Sequence, residues 1–163
     1  MRTLGIDPGT ATLGFGFVEE TKNGSAELVH YGCIKTSKMF SAHERLFKIH
    51  SELQALIKEF EPDYVAVEKL FFCSNSKTAI SVGEARGVVL LSAAQAGLYI
   101  AEYTPLQVKL AVTGYGKADK RQVGLMMMRL LKLKEMPKPD DVTDALAVAV
   151  CHLHSRKLAE KNG

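Results

Sequence analysis

The chain has 163 residues, 47% of them hydrophobic and 24% charged, with a formal net charge of +3. This length holds one soluble domain over 1–163 with a proper core and leaves no room for a second. No apolar run could span a bilayer, no signal-peptide pattern opens the chain, and three cysteines (Cys33, Cys73, Cys151) without C-x-x-C spacing exclude a zinc knuckle or disulfide framework, so a cytoplasmic protein with reduced thiols is expected.

Arg2 to Ile6 reads as a short strand that ends on Asp7, because Pro8-Gly9 is turn chemistry and stops it there. Ala11 to Glu19, with glycines at 14 and 16, the turn Asn23-Gly24 and Glu27 to Lys35 complete a three-stranded meander. Ser41 and Glu44 form a capping box, after which Leu46, Ile49, Leu53, Leu56, Ile57 and Phe60 recur at helical spacing up to Pro62. Tyr64 to Glu68 is a short apolar run after a helix, as expected of a central parallel strand, and it too ends on an acid. Ser76 to Gly97 predicts a helix apolar around most of its circumference, either deeply buried or half buried against a partner. Leu98 to Tyr103 is a further strand, Pro105 to Val112 a short helix and Gly114-Tyr115-Gly116 a loop. Asp119 caps a helix containing Val123, Met126, Met127, Leu130, Leu131 and Leu133, in which the methionines fill core. After Pro137 and Pro139 a last helix runs from Asp140 to about Leu158. Strands first paired by a meander and then separated by helices indicate an α/β fold, a mixed sheet with helices on both faces.

Three acidic clusters stand on these elements: Asp7 and Glu68, each at a strand tip, and Asp140, Asp141 and Asp144 where the last helix opens. Asp141 and Asp144 share a helical face. Acids at a helix start also stabilise its dipole, a role that suits Asp140, placed as a candidate N-cap; Asp144 borders the apolar run Ala145 to Val150 and suits it less. Taken singly, Asp7 and Glu68 are an ordinary turn acid and a solvated strand end. Together the acids suggest a divalent-metal site, since phosphodiester hydrolysis can use two hard cations roughly 3.5–4 Å apart. The basic residues are concentrated as well. Pro105 to Lys138 holds eight bases against two acids, a local +6 that leaves −3 for the remainder, and such a field beside carboxylates suits a polyanionic substrate. Arg129, Lys132 and Lys134 read instead as the solvated face of an apolar helix. The histidines at 30, 43, 50, 152 and 154 lack a metal-site pattern and read as structural or surface residues.

The stretches Gly5-Ile6-Asp7-Pro8-Gly9-Thr10, Pro62 to Glu68 with Phe71 beyond, Gly83-Glu84-Ala85-Arg86-Gly87, Gln107-Val108-Lys109 and Asp141 to Ala147 resemble, in the same order, the RuvC Holliday-junction resolvases. The resemblance spans nearly the whole chain. It implies an RNase H-like fold on a mixed five-stranded sheet, and a magnesium-dependent endonuclease that makes paired, symmetric nicks in four-way DNA junctions during recombination and repair. It further implies that Asp7, Glu68, Asp141 and Asp144 are the catalytic metal ligands, holding two Mg2+ ions per subunit with Mn2+ as a substitute. Phe71 matches a DNA-stacking phenylalanine, and Lys109 and Lys120 match basic positions near the scissile phosphate. Lys117, Arg121, Lys77 and Arg86 are candidate phosphate contacts of lower specificity. Implied partners are a second copy of the chain, a branch-migration motor and a junction-binding adaptor. A two-fold junction suits two sites related by a two-fold axis, and Ala79, Ile80, Val82, Val89 and Ala93 are the candidate interface. Rival readings are an actin-like ATPase, which needs two such domains around its nucleotide, a non-catalytic junction binder, and an RNase H-like nuclease acting on ribosomal RNA precursors.

Overall fold

The computed structural model describes residues 1–70 and 76–162, the side chains of 76, 77 and 158–162 excepted. Five strands, β1 (Arg2–Asp7), β2 (Thr12–Glu20), β3 (Ala26–Lys35), β4 (Tyr64–Glu68) and β5 (Tyr99–Tyr103), form one sheet in the order β3-β2-β1-β4-β5. The meander pairs antiparallel, whereas β4 and β5 run parallel to β1. The helices are α1 (Ala42–Phe60), α2 (Ser76–Gln95), α3 (Pro105–Thr113), α4 (Lys120–Leu130) and α5 (Asp140–Asn162). This is the expected α/β fold. The α4 helix stops short of Leu133, because Leu131 leaves helical geometry as its C-cap and Lys132 turns to φ 53°. Among the described residues no helix is long and apolar enough to cross a membrane.

Strand alternation sorts the side chains into two cores. Leu4, Ile6, Phe15, Phe17, Val65 and Val67 point to one face and pack with Ile49 and Leu53 of α1 and Val89 and Ala93 of α2. The capping box predicted at Ser41 and Glu44 starts α1, and Glu61, at φ 44°, ends it. The buried residues of α2, namely Ala85, Val89, Ser92 and Ala93, fall on one stripe, while Ile80 and Leu91 are 74% and 55% exposed. Of the two readings offered for this helix, half burial is the correct one. Val89 and Ala93 therefore cannot belong to an interface with a second copy, since the domain's own core uses them.

The opposite face carries α5. From Ala145 to Cys151 every residue of this helix is at most 1% exposed, because the sheet lies on one side and α3 and α4 pack on the other. The residues of β1 and β2 beneath it include Gly5, Gly14 and Gly16, and Gly5 stands directly opposite Gly16. A Cβ on Gly5 would lie 2.0 Å from the Ala145 carbonyl oxygen, and one on Gly14 would lie 2.1 Å from that of Asp141. The helix thus rests on bare strand backbone. These positions differ in tolerance: a methyl at Gly16 meets the flexible end of Leu146 at 2.3 Å, whereas at Gly5 it meets helix backbone. Gly5→Ala is expected to destabilise the fold by about 3 kcal/mol and Gly16→Ala by about 1 kcal/mol, read from urea titrations; equal losses would remove the close-packing account.

Candidate active-site cleft

Asp7 is the last residue of β1 and Glu68 the last of β4. Because Ile6 is registered with Val67, the two acids follow at adjacent strand tips, and alternation turns both to the α5 face. Gly14 is opposite Asp7 in the sheet and lies under the backbone of Asp141, so the absent side chain admits the first turn of α5 next to the β1 tip. Asp144 follows one turn later. Two capped helices supply the bases. Thr104 and Gln107 form a capping box that starts α3 directly after β5, setting Lys109 near Glu68. Asp119 and Gln122 do the same for α4, whose first residue is Lys120.

These elements enclose a cleft of about 400 Å³ lined by Asp7, Glu68, Asp144, Lys109 and Lys120, with Val82, Val108, Val123 and Ala147 as apolar walls. A larger cavity of about 610 Å³ lies between β3 and the end of α4, but its walls mix Lys132 and Lys134 with Glu27 and Glu135 and gather no comparable chemistry. Within the cleft Lys120 Nζ donates to Asp144 Oδ2 at 3.1 Å. Burial pushes the Asp7 carboxyl up to about 7, helped by repulsion from Asp144, Asp141 and Glu68 and opposed by Lys120. Glu68 is raised by burial and by Asp144, while Lys109 and Lys120 pull it back. Asp144, with its hydrogen bond, holds the Lys120 ammonium above its usual range.

Of the predicted site residues, Asp7, Glu68 and Asp144 meet in the cleft together with Lys109 and Lys120. Asp141 is half-buried and close enough to raise Asp7, though it does not line the cleft. Asp140 is the exposed first helical residue of α5. Arg121 lines an adjoining cavity of about 200 Å³ that shares Lys120 and Asp144 with the cleft. Lys117 is exposed and lies outside both cavities. Arg86 does not line the cleft: its guanidinium is paired with Glu102 of β5, whose strand position turns it to the α2 side of the sheet. Phe71 and the side chain of Lys77 lie outside the described residues. Among the described residues no three His, Cys, Asp or Glu side chains are grouped as a metal cage.

The histidines have structural partners, as expected: His30 stacks on Phe60, His50 Nδ1 is 2.9 Å from Ser92 Oγ, and His154 Nδ1 donates to the Ala111 carbonyl. The buried His152 Nδ1 is 2.8 Å from the Tyr103 hydroxyl, tying α5 to the strand that pairs with the Glu68 tip. Two features escaped the sequence reading. The Lys120–Asp144 contact joins residues 24 apart without a local signal. The spacing role of Gly14 had a trace in the sequence, a glycine inside a strand, which marks close backbone approach.

A mixed β3-β2-β1-β4-β5 sheet with acids at the tips of two adjacent inner strands, β1 and β4, faced by acids opening a helix, defines an RNase H-like α/β protein. The sequence pattern of the family described as crossover junction endodeoxyribonuclease RuvC matches residues 3–152, and the chain belongs to that family. It is 55% identical over 163 residues to the crossover junction endodeoxyribonuclease RuvC of Desulfitobacterium hafniense, covering 100% of this chain and 98% of the relative. Thermus thermophilus RuvC, solved in complex with Holliday junction substrate, superposes with a TM-score of 0.92 at 40% identity, covering 98% of this chain and 96% of that one. The yeast mitochondrial Holliday junction resolvase Ydc2 shares the fold at a TM-score of 0.75 and 11% identity, over 98% of this chain and 80% of that one.

The Asp7 carboxyl makes the metal-free protein pH-sensitive. Its folded value of about 7 lies above the ordinary 3.8, so between those limits the folded chain keeps a proton that the unfolded chain has lost. That contribution to stability is fully present below about pH 4 and is lost as pH rises through 7. In EDTA, Asp7→Asn is therefore expected to be more stable than the wild type at pH 8, on the order of 3 kcal/mol, with little difference at pH 4. Urea titrations across that range check it, and a less stable variant at pH 8 would contradict the account of burial and repulsion raising Asp7.

Proposed function

We propose that this chain resolves Holliday junctions by metal-dependent hydrolysis of phosphodiester bonds, nicking two opposed strands in homologous recombination and DNA repair. Family membership supports the reaction class, and the relative solved with a Holliday junction supports the substrate. The observation that carries the reading for these residues is the convergence of Asp7, Glu68 and Asp144 with two lysines in one open cleft.

The donor set fits a hard divalent cation. All of its groups are carboxylates, and burial together with their mutual repulsion raises the Asp7 carboxyl to about 7. Magnesium keeps several waters and takes one or two carboxylates together with substrate phosphates, so a closed cage of three side chains is not required. Asp7, Glu68, Asp141 and Asp144 would hold magnesium, or manganese in its place, two ions per subunit; such ions activate water and stabilise charge on the leaving oxygen. The protein's own residues do the rest. Lys109 and Lys120 bring positive charge to the cleft walls and draw the phosphodiester strand toward the acids. Lys117 and Arg121, near the start of α4, extend that attraction along the flanking backbone. Phe71, three residues after Glu68 in the sequence, stacks on a base unpaired at the crossover.

Paired nicks call for two sites, and a homodimer supplies them. The exposed apolar face of α2, with Ile80 and Leu91, and the exposed Ile100 on the same side of β5 support an interface there in place of Val89 and Ala93. A branch-migration motor and a junction-binding adaptor as partners, and a cytoplasmic location, follow from the family resemblance.

Incubating the protein with a synthetic four-way junction, with magnesium or EDTA, tests the reading. Wild type should give paired nicks only with magnesium. Asp7→Asn should lose cutting by at least about a thousandfold while binding the junction nearly as tightly, since the basic walls are untouched. Undiminished cleavage by that variant would count decisively against the assignment. Phe71→Ala should slow cleavage more than it weakens affinity, read from single-turnover rates beside gel shifts, and equal rates would return Phe71 to a structural role.

A further inference from the structure

Lys120 stands at the seam of the cleft and its adjoining cavity, lining both. Its backbone is fixed at the start of α4 by the Asp119 capping box, while its side chain is 75% exposed. The ammonium is bonded to Asp144 Oδ2 at 3.1 Å, and it also interacts with Asp7 and Asp140. An ammonium so placed has two effects. It neutralises part of the acid cluster, and it occupies a carboxylate oxygen while repelling any further cation. An ion pair this exposed is weakly held, so another anion can displace it.

We propose that Lys120 is a stand-in counter-ion: in the DNA-free protein it occupies Asp144 and holds divalent-metal affinity down, and a DNA phosphate in the cleft draws it away and releases that carboxylate. The inference rests on the metal-dependent reading of the same site. Metal loading and strand engagement are then coupled, and by linkage each favours the other. The acids fill with metal where a strand lies in the cleft and stay poorly loaded elsewhere. Lys120 acts through Asp144 in this step and is a positioning residue.

The test is a Mn2+ titration of DNA-free protein at pH 8, following loss of the free-ion electron paramagnetic resonance signal, for wild type, Lys120→Met and Lys120→Arg. Lys120→Met should bind Mn2+ about tenfold tighter, and Lys120→Arg, which keeps the charge, within about twofold of wild type. A junction with phosphorothioate linkages, which retain their charge, should tighten Mn2+ binding by the wild type and have little effect on Lys120→Met, against a DNA-only control. In parallel, acylation of the Lys120 amine by a succinimidyl ester, read by mass spectrometry, should rise when Mn2+ is added. Equal or weaker Mn2+ affinity in Lys120→Met, a wild-type affinity indifferent to the junction, or labelling unmoved by Mn2+ would each overturn the proposal. If all three proteins failed to bind Mn2+, the metal reading of the site would fall and this inference with it.

Discussion

The seat of α5 against strand backbone is the constraint on which the rest depends. Side chains normally separate a helix from a sheet. Here Gly5, Gly14 and Gly16 remove that spacer over two adjacent strands, and the helix descends until its carbonyls nearly touch the sheet. Its burial follows from this closeness, as does the position of its first turn above the β1 tip. Acids on a helix and acids on two strands can share one cleft because the layers between them have been thinned to backbone.

Assembling carboxylates in this way runs against electrostatics. Asp7 is half-buried beside three other acids and is raised to about 7, and Glu68 is shifted in the same direction. The unfavourable energy is borne by the two cores, which pack Leu4, Ile6 and Val67 on one side of the sheet and Leu146, Val150 and Leu153 on the other. A site that is unstable without cations is also one that binds cations, so the strain and the proposed chemistry have one origin. Lys120 partly relieves it, from a helix whose starting residue is set by its own cap.

Much of the fold was legible because its signals are local. The turn Pro8-Gly9 ends β1 at Asp7, and the capping boxes at Ser41 and Asp119 mark where α1 and α4 begin. The apolar runs Arg2 to Ile6 and Tyr64 to Val67 each end on an acid, so Asp7 and Glu68 could be placed at strand tips, whereas their common face depends on the register of β1 with β4. The α2 helix shows the limit of such reading. Its composition is nearly all apolar, yet only one stripe is buried, and which stripe depends on where α1 and the sheet lie. Arg86 shows it again, since a base in a family-like motif is engaged by Glu102 from a strand that the chain reaches only after α2.

The sequence by itself determined the elements, their order and the acids at their ends, because propensity, capping and period act over a few neighbouring residues. Only the tertiary structure decided that Gly14 admits Asp141 beside Asp7, that Lys120 lies on Asp144, and that Val89 faces inward while Ile80 faces out. Those outcomes depend on distances between elements far apart in the chain, and such distances are set by how two packed cores fill space together.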